Sequence, residues 1–170
     1  MKYPILAAAG LLVFASTASA QSVTDAQIAA IVAAANTVDI DAGKLAQSKA
    51  SSEAVRKFAE RMVVDHTGVN KSASELVTKL KVTPEENETS RSLKEGGEKN
   101  LAKLKGLEGA AFDRAYIEHE IAYHQQVLDA LDKTLIPNAK NAELKALLVK
   151  VRPAFVAHLE HAKNIQAGKS

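Results

Sequence analysis

The chain has 170 residues, of which 46% are hydrophobic, 22 are Lys or Arg, 20 are Asp or Glu and none is Cys, for a formal net charge of +2. No cysteine means no disulfide, no thiolate metal ligand and no lipidated N-terminal cysteine. Lysines and carboxylates alternate along the chain without a basic stripe, which argues against nucleic acid or an anionic membrane surface as partner.

The first twenty residues, MKYPILAAAGLLVFASTASA, carry a lysine, an apolar run from Ile5 to Ala15 and the small triplet Ala18, Ser19, Ala20. They read as an export signal cleaved after Ala20, without the twin arginine of a folded-protein export route. The mature chain is therefore expected outside the cytoplasm, in the periplasm. Its later segments are too short in apolar residues to cross a bilayer. Residues 21–170 are long enough for a single domain with its own core.

Five helices follow in order. Thr24 with Gln27 forms a capping box that opens a first helix over about 24–48. Ser51, Ser52 and Glu53 open a second, over 51–81, antiparallel to the first because the connection is short. Thr83, Pro84 and Glu86 start a third over 84–105, which Gly96 and Gly97 are expected to break or fray. A fourth runs over 110–135 and stops before Pro137. The fifth, over 141–166, contains Pro153, which withholds a hydrogen bond from Val149 and predicts a kink one turn ahead of His158. No strand periodicity or repeat occurs, so the chain reads as all-α.

Stepping by fours and threes gives each long helix one apolar seam with one polar member. In the first helix Ile28, Val32, Ala35, Asp39, Ala42 and Ala46 form the seam, and in the second Val55, Ala59, Met62, His66, Val69 and Ala73. The fourth has Ile117, Ile121, His124, Leu128 and Leu131, and the fifth Leu144, Leu148, Val151, Phe155, His158 and Ala162. If the second and fourth helices run parallel, joined by the third as a crossover, then at 1.5 Å per residue His66 and His124 lie roughly 21 Å below one shared rim, Asp39 roughly 14 Å and His158 roughly 12 Å. Such depths allow the four side chains to meet.

Three imidazoles and an aspartate from four helices suit one zinc, copper or iron ion, because neutral nitrogen is a borderline-soft donor and the carboxylate offsets metal charge. Glu120, one turn before His124, can add a carboxylate, although a surface glutamate is the plainer reading. A metal-free polar core of hydrogen-bonded histidines accounts for the same pattern, and a non-diiron metalloenzyme is a further reading. The diiron carboxylate signature needs glutamate three residues before each of two histidines, where this chain has Val63, Ile121 and Phe155. In HEIAYH the offset of five sets His119 and His124 about 140° apart around the helix, off any shared face. His161 falls on a solvated last turn, Tyr116 and Tyr123 read as core aromatics with bonded hydroxyls, and Arg61 with Asp65 as an exposed ion pair. No serine or lysine carries a nucleophile motif, which leans away from an enzyme.

The blocks LAQSKASSEAVRKFAERMVVDHT, GAAFDRAYIEHEIAYHQQVL and RPAFVAHLEHA resemble an exported, ferritin-like bacterial family known as domain of unknown function 4142, from about Asp25 to Ile165. The resemblance implies a ferritin-like four-helix bundle with a helical crossover between its second and third helices. It implies histidines at the places of His66, His124 and His158, and an acidic residue near Asp39 or Asp41. It carries no established activity, and ferroxidase chemistry does not follow from the fold.

Overall fold

The computed structural model describes residues 22–169, so the expected export signal lies outside the described residues. The described residues form only helices and their connections: α1 (Asp25–Lys49), α2 (Glu53–Leu80), α3 (Glu88–Lys105), α4 (Gly109–Ala130), a π-helical turn (Leu131–Leu135), α5 (Ile136–Asn138) and α6 (Ala142–Gln166). The Thr24–Gln27 capping box is present, each backbone N–H donating to the other side chain at 3.2 Å. None of the helices among the described residues is long and apolar enough to cross a membrane.

Pairings at the two ends set the directions. At one end Lys49, closing α1, donates to the Lys105 carbonyl (2.8 Å) and pairs with Glu108 (2.7 Å). Asp113, near the start of α4, accepts from the N–H groups of Ser51 and Ser52 just ahead of α2 (3.0 and 2.8 Å). At the other end Asp25 accepts from the N–H groups of Lys140 and Asn141 (2.8 and 2.9 Å), and Lys79 pairs with Glu143 at 2.5 Å. Helices α2 and α4 therefore start at the same end, and α1 and α6 finish there. Helix α3 runs back along α1, and the segment just ahead of it is tied to α1 by Glu85 N–H on the Ala26 carbonyl at 3.0 Å.

That tie explains one departure from expectation. Pro84 and Glu86 lie outside any helix beside α1, and α3 starts later, at a capping box of Asn87 and Ser90 (2.9 and 3.0 Å). A second departure is that α3 continues through Gly96 and Gly97 unbroken. Gly97 faces α1 so closely that a Cβ there would stand 2.7 Å from Val38 Cγ2, whereas one at Gly96 would meet nothing within 4 Å. The first glycine is thus a packing requirement and the second only a propensity cost. Gly97→Ala is expected to destabilise by about 1–3 kcal/mol, since valine is stiff about χ1 and cannot step aside cheaply. Gly96→Ala is expected to stabilise by about 0.5–1 kcal/mol. Urea midpoints moving the same way for both variants would contradict this account.

Helix α4 also outruns its expected stop. The π turn after Ala130 inserts a residue and shifts the hydrogen-bond register, and the chain stays helical to Asn138 with Pro137 inside α5. Pro153 does not end α6; the Val149 carbonyl it leaves without a helical donor belongs to a residue 52% exposed, where water can serve it.

The apolar interior comes in two blocks. One, toward the Asp25 end, contains Ile28, Val38, Val127, Leu131, Leu148 and Phe155. The other, toward the Lys49 end, contains Ala46, Phe58, Met62, Phe112, Tyr116 and Ala162. Between them every long helix contributes buried polar groups: Asn36 and Asp39 from α1, His66 from α2, Glu120 and His124 from α4, His158 from α6.

Candidate metal centre

His66, His124 and His158 are 1%, 0% and 4% exposed, and their ring centroids stand 5.6, 5.4 and 5.4 Å apart, close to an equilateral triangle. The convergence allowed by the seam depths is realised. Each ring has one nitrogen engaged. His66 Nδ1 is 2.7 Å from Asn36 Oδ1, His124 Nδ1 is 3.0 Å from the Glu120 carbonyl, and His158 Nε2 is 2.8 Å from Asp65 Oδ2. The partners of the latter two rings are acceptors only, and the Asn36 amide nitrogen is itself occupied in donating to the Val32 carbonyl at 2.8 Å. Each imidazole must therefore donate through the engaged nitrogen, leaving a lone pair on the other.

Those other nitrogens, His66 Nε2, His124 Nε2 and His158 Nδ1, are buried and have no hydrogen-bond partner. The three residues each offer a ligand atom within 4.8 Å of the others. Metal–nitrogen bonds of about 2.0–2.1 Å would place an ion about 3.2 Å from each ring centroid, and three rings spaced evenly around it would then have centroids about 5.5 Å apart. The residues present fit a three-coordinate nitrogen site. Phe155 closes over it, its ring 5.0 Å from that of His66, 6.0 Å from His124 and 6.1 Å from His158.

Two residues that hold these rings were not legible as such. Asn36 lies one step beside the α1 seam and holds His66. Asp65, expected to be an exposed partner of Arg61, does pair with Arg61, but it is also half-buried against α6 and accepts from His158. Partial burial acts to raise the Asp65 carboxyl, yet the hydrogen bonds and charges of Arg61 and His158 hold it below the usual carboxylate range.

The carboxylates Asp39 and Glu120 occupy the opposite edge of the cluster. Asp39 Oδ2 is 3.4 Å from His66 Nδ1 and Glu120 Oε2 is 3.5 Å from His124 Nδ1, each beside the engaged nitrogen rather than the free one. Glu120 is fully buried, which corrects the surface reading. Asp39, Glu120 and His124 form a second close group, so the predicted ligand set divides into two that share His124.

Burial dominates the ionisation of the whole cluster. It holds His66 well below its usual range, takes His124 down to about 3 and lowers His158, with the neighbouring imidazoles adding to the effect on His66 and His124 and Asp65 opposing it at His158. At neutral pH all three rings are therefore neutral and able to donate. Burial also raises Asp39 well above the carboxylate range and takes Glu120 up to about 8.

The remaining ring residues stand apart. His119 is half-buried and stacks on Tyr123 at 5.5 Å, off the shared face as its offset predicts, and His161 is exposed at the edge of Phe58. Tyr123 donates to the Ala35 carbonyl at 3.1 Å, as expected of a core tyrosine. Tyr116 is a core tyrosine too, but its buried hydroxyl bears on the Glu120 carboxylate rather than on a backbone carbonyl.

Fold and site define an all-helical protein with a buried cluster of three imidazoles. The chain belongs to the family described as domain of unknown function (DUF4142), whose model matches residues 13–165. Among solved structures it is similar to "CopM in the Cu(II)-bound form", with a TM-score of 0.66 at 18% identity, over 86% of this chain and 99% of that one. At that identity the likeness concerns the fold alone. No curated protein matches the chain.

Proposed function

We propose that the protein is an exported, ferritin-like four-helix bundle that binds a transition-metal ion through His66 Nε2, His124 Nε2 and His158 Nδ1. One observation carries the reading: three buried imidazoles each spend one nitrogen on a protein acceptor, keep the other unpartnered, and bring a ligand atom within 4.8 Å of one another. An unpartnered buried nitrogen costs about 1–3 kcal/mol, so three together are hard to account for as a finished metal-free core. The donors are neutral nitrogens, which suits copper and zinc and also serves iron. Copper is the first ion to test, given the Cu(II)-bound state of the structural neighbour. Phe155 over the cluster leaves little room for a substrate on the ion, which favours binding over catalysis.

The test is to strip the mature protein with a chelator, then add Cu(II), Cu(I) or Zn(II) and follow thermal unfolding. A ligand of the folded state alone, at 100 times its Kd, stabilises by about 2.7 kcal/mol, or roughly 5–10 °C for a chain of this size. Melting temperatures that ignore both chelator and all three ions would refute the proposal and leave the histidines as a polar core network.

A further inference from the structure

The acidic edge of the cluster is built differently from its imidazole edge. The oxygens of Asp39 (1% exposed) and Glu120 (0%) have no hydrogen-bond partner. Among the described residues no lysine or arginine pairs with either. The nearest charged-capable nitrogens are the Nδ1 atoms of His66 and His124 at 3.4 and 3.5 Å. Two carboxylates buried side by side need a proton or a cation between them, because each isolated buried charge costs several kcal/mol. A second, independent group points into the same space. Tyr116, one turn before Glu120 on the same face of α4, is 0% exposed, and its hydroxyl has no partner outside this cluster, where the Glu120 carboxylate bears on it.

We infer that Asp39, Glu120 and His124 Nδ1, with the Tyr116 hydroxyl beside them, form a second cation site, for a divalent ion that accepts mixed carboxylate and imidazole donors. Zinc is the representative ion, and Mn(II) and Fe(II) share the preference. The carboxylates balance its charge, which three neutral imidazoles cannot do for an ion at the first site. His124 is common to both groups, with Nε2 toward the triad and Nδ1 toward the carboxylates. Coordination by the carboxylates releases the proton they hold, and coordination through Nδ1 displaces the proton now donated to the Glu120 carbonyl; both protons leave to solvent. No electron is transferred. With both sites filled, His124 bridges the two ions as an imidazolate. The inference extends the reading above, but the two stand or fall separately, since His66 and His158 belong only to one group and Asp39 and Glu120 only to the other.

Zinc titration of the chelated mature protein, followed by calorimetry and native mass spectrometry, tests it. The whole chain is expected to take two ions. Glu120→Gln, near-isosteric and less charged, is expected to keep the triad's ion and lose the second, its affinity there falling by about 100-fold or more. His158→Ala is expected to show the reverse. Asp39→Asn repeats the first experiment should the glutamine variant unfold. If the wild-type chain takes one ion and Glu120→Gln still takes it, the carboxylates hold a proton instead and the second site is refuted. If the wild-type chain takes one ion that survives His158→Ala but not Glu120→Gln, the second site holds and the triad reading fails.

Discussion

Replacing His124 by leucine is expected to abolish the metal response and at the same time to make the chelated protein more stable than the wild type. The two effects have separate causes. The ring supplies a donor to each ligand group, so its loss leaves only two imidazoles on one side and two carboxylates on the other. The chelated wild type carries His124 with Nε2 buried and unpartnered, at a cost of about 1–3 kcal/mol that leucine does not incur. Leucine strands nothing important in exchange. The Glu120 carbonyl that accepts from Nδ1 also lies where the N–H of residue 124 donates in an α-helix, and that bond survives the substitution. The gain corresponds to roughly 3–10 °C in melting temperature. A polar core network predicts the opposite, a loss of stability from breaking a satisfied set of bonds. A leucine variant that melts lower than chelated wild type, or that binds copper with unchanged affinity, would count against the metal reading.

The chelated protein is also expected to be most stable near pH 6.5 and to weaken on both sides. The signs differ for the two halves of the cluster. The histidines have folded pKa values below the unfolded value of about 6.5, so below that pH the unfolded chain binds protons that the folded chain refuses. Stability then falls as pH falls, by up to about 1.4 kcal/mol per pH unit for each histidine, down to the folded value of about 3 at His124. The carboxylates have folded pKa values above the unfolded values near 4, so the folded chain holds protons that the unfolded chain has released. Their contribution is complete below about 4 and is lost as pH rises through about 8 at Glu120. Between about 4 and 6.5 the two slopes oppose each other. Below that window the histidines act alone, joined by Asp65, whose lowered carboxyl also loses its contribution in acid. Above it the carboxylates act alone. Glu120→Gln should flatten the alkaline limb and His124→Leu should ease the acid one. A denaturation midpoint constant from pH 5 to pH 9 would contradict this picture of the cluster.

Much of this arrangement is legible in the residues alone. The three-four seams identify the buried face of every long helix, and the single polar member in each marks the level at which they meet, because rise per residue is constant. What the pattern misses depends on rotation and neighbours rather than on spacing. Asn36 and Asp65 each sit one position off a seam. They reach the cluster only because α2 brings His66 beside Asn36 and α6 brings His158 beside Asp65, and their polarity alone looks like ordinary surface. Glu120 is indistinguishable by type from the exposed Glu118 two residues earlier. Gly97 looks like a helix breaker until Val38 is seen against it, and Pro84 like a helix start until Glu85 is found bonded to α1. Capping chemistry predicts an end only where no other element competes for the same backbone groups.

The polar layer between the two apolar blocks has a bearing on how the helices find their alignment. The α1 seam is rich in alanine, whose smooth surface would let a neighbour slide by one turn, about 5.4 Å, with little change in packing. Such a slip would press Asp39 or His66 against leucines and phenylalanines and set an aliphatic side chain among the imidazoles, at a cost of several kcal/mol. The buried acids and rings thus serve as an index mark that all four long helices must share, so that the groups available for a ligand also specify the vertical match of the helices that carry them.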